Sequence, residues 1–348
     1  MTIPQPLCPG DRIAILSPAT EIKSGYIDGA VAELRSRGYE PVEMPYTRGH
    51  EHGTFAATDA QRLADLTAAL SDSSIKAILC GRGGYGCIHL LSYELQRLVS
   101  DNPKWIIGFS DISALHAVWL KAGVRSIHAS MAKQLTLYGA RTCDGAAAAL
   151  MREEALSPVD QQNLDFCTDM MWRLLEHPEE ETQYSWPDPE GNTPGEETQY
   201  SRPTPEGNTP GAAEGLIVGG NLAVLNGLAA TPWDILTPES LEGKILFLED
   251  VGEKIYQVER MLTRLHLSGA LHAVAGLIFG DFTDYRPDRN FDSMQQMIRT
   301  RLDEWRVSSP TALYAPIGHT HFNLPVPEGA TARLAVTDCN VTLTFPGS

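Results

Sequence analysis

Apolar residues along the first third of this chain come in two alternating kinds of run. Short continuous blocks at Arg12–Leu16, 41–44, Ile75–Cys80 and 104–109 predict strands, and unbroken apolar character is what a strand buried on both faces requires. Between them the apolar positions recur at intervals of three and four. Ile27, Ala30, Val31 and Leu34 predict a helix over 27–37 that stops at Gly38. Leu63, Leu66 and Leu70 predict a second, opened by the capping box of Thr58 and Gln61. Further helices are predicted over 88–99 and 112–120. Strands alternating with helices at this spacing predict an α/β fold, a parallel sheet with helices on both faces. Ligands of such sheets sit at the C-terminal ends of the strands.

The pattern breaks near residue 169 and resumes after about 212. Strands are predicted over 215–220, 244–248 and 274–279, with helices over 221–228, 256–267 and 294–305. Thr331–Val336 and Val341–Phe345 alternate like a strand pair. The expected organisation is therefore an N-terminal domain over 1–168, an insert over 169–212 and a smaller C-terminal α/β domain over 213–348. Within the insert, 180–195 is repeated at once as 196–211, with Trp186 becoming Arg202 and Asp188 becoming Thr204. Rich in Pro, Gly, Glu and Thr, the pair cannot bury a core of its own. It reads either as a surface loop lengthened by tandem duplication or as a lid whose Trp186 touches substrate.

Charge narrows the partners. The 27 basic against 44 acidic residues give a net charge of -17, which disfavours nucleic acid and anionic membrane surfaces. Six scattered cysteines, with no C-x-x-C pair, fit a reducing compartment. With no signal-peptide pattern at the N-terminus and no apolar run of about 20 residues, a cytoplasmic location is expected.

Three stretches carry candidate chemistry. The strand over 104–109 runs through Gly108 and Phe109 into Ser110, and a helix follows at once. That arrangement suits a nucleophile elbow, although Ile112 stands where G-x-S-x-G has its second glycine; from these residues alone an ordinary turn with a capping serine is the plainer reading. Gly81–Gly86 follows another strand and could cradle a phosphate, donate to an oxyanion or simply turn tightly. Glu249 ends a strand, in reach of either a salt bridge or a catalytic partner, and His319 lies in a loop with His321. A serine, a histidine and a carboxylate can together form a hydrolytic triad. The remaining histidines, His116 and His128 among them, read as surface or packing residues.

Six stretches in order resemble the LD-carboxypeptidase family, which also includes the microcin C immunity peptidases. They are Pro9-Gly-Asp11 with Ser17-Pro18; Gly81 to Gly86; Gly108-Phe-Ser-Asp-Ile-Ser113; Gly219-Gly-Asn-Leu222; Leu246 to Asp250 with Tyr256; and Gly318-His319 followed by Pro327 and Gly329. The resemblance implies a serine peptidase with Ser110 as nucleophile, His319 as base and Glu249 as the orienting carboxylate. It also implies an oxyanion hole from the N–H groups of Gly84 and Asp111, and an active site between the two domains. The implied substrate is the murein tetrapeptide, cleaved at its L,D-bond to release terminal D-alanine during cell-wall recycling, with no cofactor or metal. Arg82, Tyr85, Asn221 and Trp186 are the candidate substrate contacts, and the resemblance suggests a homodimer. Where the family often has His-Gly-Pro-Met, this chain has His128-Ala-Ser-Met131. Two other readings remain: an immunity-type peptidase acting on a peptidyl-nucleotide conjugate, and a non-catalytic muropeptide-binding protein.

Overall fold

The computed structural model describes residues 1–49, 53–138, 145–186, 209–337 and 340–347. Two compact units emerge: Met1–Pro178 with Leu324–Gly329, and Glu179–Asn323 with Ala330–Ser348.

The first unit alternates strand and helix: β1 (Arg12–Leu16), α1 (Ser24–Ser36), β2 (Glu40–Glu43), α2 (Asp59–Ser71), β3 (Ile75–Cys80), α3 (Tyr93–Asp101), β4 (Trp105–Gly108), α4 (Ser113–Lys121) and β5 (Ser126–His128). Three helices follow, α5 (Ala132–Tyr138), α6 (Gly145–Glu153) and α7 (Pro158–Glu176). The strands pair in parallel in the order β5-β4-β3-β1-β2. At the β5 edge one antiparallel strand is added from far along the chain, β11 (Val326–Glu328). Ile13, Ile15, Leu79, Ile107 and Ile127 of the sheet share a core with Ile27 and Leu34 of α1, Leu135 of α5 and Met171 and Trp172 of α7.

Local chemistry sets several boundaries. Thr58 accepts from Gln61 N–H at 3.3 Å while Gln61 Oε1 accepts from Thr58 N–H at 3.1 Å, so α2 opens on the expected capping box. The helix expected over 88–99 instead begins at Tyr93, because Ser92 caps it by accepting from Leu95 N–H, and Cys87–Leu90 forms a separate 3₁₀ turn. Residues 169–176, expected to begin the insert, are the last turns of α7.

In the second unit the elements are β6 (Thr182–Trp186), β7 (Gly211–Asn221), α8 (Leu222–Gly227), α9 (Pro238–Leu241), β8 (Ile245–Val251), α10 (Ile255–Leu267), α11 (Ala270–Ala273), β9 (Gly276–Thr283), α12 (Met294–Glu304), β10 (Thr311–Ala312), β12 (Thr331–Val336) and β13 (Val341–Phe345). They form one mixed sheet in the order β10-β9-β8-β7-β12-β13-β6, parallel through β7 and antiparallel beyond it. The start of the repeat is thus a strand rather than part of a loop. Thr182, Tyr184 and Trp186 are buried while Gln183 and Ser185 are not, and the segment pairs with β13, from Thr182 opposite Phe345 to Trp186 opposite Val341. It adds an edge to an existing core and needs none of its own. Residues 187–208 of the repeat lie outside the described residues, as do His50, His52, Cys143 and Cys339, and its last residue, Gly211, opens β7.

Candidate active site

In the first unit the site is built where β4 ends. Ser110 sits at φ 65°, in the left-handed region that a serine rarely adopts, and this marks a strained turn between β4 and the helix that follows. Residues Ser110–Ile112 form a single 3₁₀ turn leading straight into α4. This is the geometry of a nucleophile elbow, and it arises without the second glycine.

The loop after β3 packs directly against that turn. A Cβ placed on Gly83 would lie 2.7 Å from Ser110 Cβ and 3.1 Å from Asp111 N, so only glycine permits this approach. Among the hydrogen bonds that hold the loop are Tyr85 N–H to Thr20 Oγ1 at 3.0 Å and Cys87 N–H to Asp111 Oδ2 at 2.8 Å. Burial raises the Asp111 carboxyl above its usual range against the opposing pull of the Cys87 N–H and thiol. Arg62 is wholly buried and donates to the carbonyls of Pro18, Ala57 and Gly86, which ties the loops on either side together. Gly83→Ala should therefore push Ser110 and the Asp111 N–H out of place, lowering both kcat, by about 10²-fold or more, and the melting temperature. Steady-state hydrolysis beside a thermal melt measures both.

The second unit carries a histidine–carboxylate pair. Glu249 lies on β8, a strand buried along its first six residues, and is itself fully buried. His319 Nδ1 and Glu249 Oε2 are 2.7 Å apart. A carboxylate accepts, so Nδ1 carries the proton and Nε2 is left with a lone pair, the form a general base needs. Burial alone would lower the His319 pKa, but the charge and hydrogen bond of Glu249, helped by Asp250 and Asp284, lift it above its ordinary value.

The backbone fixes the loop that carries this histidine. Ala315 N–H donates to Phe279 O at 3.0 Å, Asp281 N–H to Ile317 O at 2.8 Å and Gly318 N–H to Asn323 Oδ1 at 2.9 Å. Gly318 has φ +131°, and a Cβ there would lie 3.0 Å from Glu249 Oε2. A side chain at 318 would thus be both strained and pressed on the carboxylate.

Of the expected substrate contacts, Arg82 is exposed. Tyr85 is 56% exposed beside Phe55, with its hydroxyl 3.2 Å from His89 Nε2. Asn221 has structural duties: its Oδ1 caps α8 by accepting from Val224 N–H, and its Nδ2 donates to Asp250 Oδ1 at 3.1 Å. Trp186 is 4% exposed in β6. Asp250 was not anticipated as more than a motif residue. Burial, then the neighbouring Glu249 charge, raises its carboxyl to about 7 against N–H donors from Val251, Ala223 and Asn221. Among the described residues, no group of three or more His, Cys, Asp or Glu side chains is placed to hold a metal ion. Nor is any helix among them long and apolar enough to cross a membrane.

Family models match both units: the LD-carboxypeptidase N-terminal domain over residues 13–129 and the LD-carboxypeptidase C-terminal domain over 214–334. The chain belongs to the LD-carboxypeptidase family. It is a serine-type carboxypeptidase, a hydrolase of peptide bonds. It is 30% identical over 334 residues to the "Probable murein peptide carboxypeptidase" of Bacillus subtilis, covering 95% of this chain and 91% of that one. Its fold is similar to that of the muramoyltetrapeptide carboxypeptidase from Oxalobacter formigenes, with TM-score 0.75, 26% identity and coverage of 96% and 98%. It is also similar to that of the microcin C7 self immunity protein MccF in complex with aspartyl sulfamoyl adenosine, with TM-score 0.77, 22% identity and coverage of 99% and 98%. The chain thus shares its fold with both solved structures.

Proposed function

We propose that this LD-carboxypeptidase releases terminal D-alanine from the murein tetrapeptide, with Ser110, His319 and Glu249 acting as one triad. The observation that carries the reading is the hydrogen bond from His319 Nδ1–H to the fully buried Glu249, which leaves Nε2 as the base. Ser110 Oγ attacks the carbonyl carbon of the L,D-bond as its proton passes to His319 Nε2. The oxyanion that forms is met by the N–H groups of Gly84 and Asp111. Collapse breaks the C–N bond, and D-alanine leaves as the amine, taking the proton from His319. Water then repeats the steps on the acyl-enzyme, with its proton passing through His319 back to Ser110. The Bacillus and Oxalobacter relatives are named for this class of substrate, which supports the reading.

The experiment is mass spectrometry of the protein incubated with L-Ala-D-Glu-meso-diaminopimelate-D-Ala and, separately, with the tetrapeptide ending in L-alanine. Loss of one alanine from the first and not the second is expected. No loss from the first, with cleavage of an aspartyl sulfamoyl nucleoside instead, would move the assignment to the immunity branch.

A further inference from the structure

His116 reads in the sequence as a packing residue of an apolar helix, yet it is fully buried with both ring nitrogens hydrogen-bonded. It lies on α4, one side of the elbow. Its Nε2 is 2.9 Å from Gly108 O, at the end of β4 on the other side. A carbonyl only accepts, so Nε2 carries the proton. Nδ1 is then the acceptor, and the Ser126 hydroxyl, 2.8 Å away on β5, donates to it. Burial pushes the His116 pKa down to about 4, which keeps this neutral tautomer across the neutral range. The other groups facing the ring are the buried Glu328 carboxylate of β11, 3.8 Å from Nδ1 and beyond hydrogen-bond reach, and the His128 ring.

Gly108 O already accepts from Ala129 N–H at 3.1 Å, so His116 is not needed merely to satisfy a buried carbonyl. What it adds is a bond across the turn. Residues 108 and 116 flank Ser110, whose φ of 65° persists only if its surroundings over-determine it. We propose that His116 is a positioning residue for the nucleophile: by bridging the strand that enters the elbow and the helix that leaves it, its imidazole holds Ser110 in the attacking conformation. Ser126 acts one step further back, by fixing the tautomer that donates. The inference rests on the reading of Ser110 as the nucleophile.

The test compares wild type, His116→Leu, His116→Gln and Ser126→Ala in kcat, KM, melting temperature and the rate at which a fluorophosphonate labels Ser110. Leucine removes both hydrogen bonds, whereas glutamine can donate to Gly108 O and accept from Ser126. The leucine variant should lose roughly 10- to 100-fold in both kcat and labelling rate, the range that matches the strain to be held, with KM within about twofold. The glutamine variant should recover most of this. A leucine variant with unchanged kcat, a glutamine variant as slow as leucine, or a change in KM alone would overturn the proposal. If the leucine variant does not fold, Ser126→Ala decides: a several-fold loss in kcat at constant KM supports the brace, and an unchanged kcat overturns it. Wild type that cleaves peptide without labelling at Ser110, together with an active Ser110→Ala variant, would instead remove the nucleophile assignment, and the brace with it.

Discussion

Ser110→Ala should lower kcat on the order of 10⁶-fold, the scale on which serine hydrolases fail without their nucleophile, while leaving the melting temperature nearly unchanged. The fold is spared because alanine keeps the Cβ and so meets the same backbone restriction at φ 65° that serine already satisfies. Only the hydroxyl is lost, and with it the covalent route. The proposed oxyanion donors, the N–H groups of Gly84 and Asp111, are backbone groups and survive the substitution, so a small residual rate above the uncatalysed reaction is expected. Intact-mass analysis after fluorophosphonate treatment supplies the second readout: one adduct on the wild type and none on the variant. Cleavage by the variant at the wild-type rate would mean that another group attacks the peptide.

The elements legible in the sequence are those whose causes are local. The Thr58–Gln61 capping box, the apolar run Ile75–Cys80 and the alternation in Thr331–Val336 and Val341–Phe345 each lie within a few residues, and each appears where expected. Elements created by distant pairing were not legible. β11 is three residues long and includes Pro327; nothing in Val-Pro-Glu shows that it will pair with Ser126–His128. Thr182–Trp186 looks like the opening of a polar repeat until β13 is beside it. The long helix α7 is a different case. Its buried Leu164, Cys167, Met171 and Leu175 stand three and four apart, a signal that was present but obscured by the polar residues between them.

The site divides in the same way. Ser110 follows a strand and His319 lies in a loop, while Glu249, expected to end its strand, lies inside β8 because pairing with β9 carries that strand on to Val251; short motifs mark all three. Their supporting residues carry no such mark. Gly83 matters because any Cβ there would press on Ser110, and His116 because of one carbonyl at Gly108. Both are properties of approach in space. Asn221 shows the converse: its place in a Gly-Gly-Asn motif suggests ligand contact, and its described bonds cap a helix and hold Asp250.

Glu249→Gln should lower kcat by about 10⁴-fold without removing the nucleophile, because an amide can donate to Nδ1 and so favour the tautomer whose proton sits on Nε2. The base would then face the serine with its lone pair on the wrong side. The same substitution should displace the pH profile. In the wild type the lifted His319 pKa sets the acid limb of kcat/KM above the ordinary histidine value of about 6.5, because only the neutral ring accepts the serine proton. Without the Glu249 charge, burial dominates and the limb moves to lower pH. Asp250, which titrates at about 7 behind Glu249, adds to the lift only once it ionises. Asp250→Asn should therefore shift the limb in the same direction by less.

Stability must follow with the opposite sense. A histidine whose folded pKa is raised stabilises the fold fully below its unfolded value, and that contribution is lost as pH rises through the folded pKa. The wild type should therefore lose part of its margin over Glu249→Gln in the pH window where it gains activity. Melts and pH–rate profiles taken on the same two proteins test the coupling directly. An acid limb at the same pH in both would show that Glu249 does not act on the base, whatever its effect on kcat.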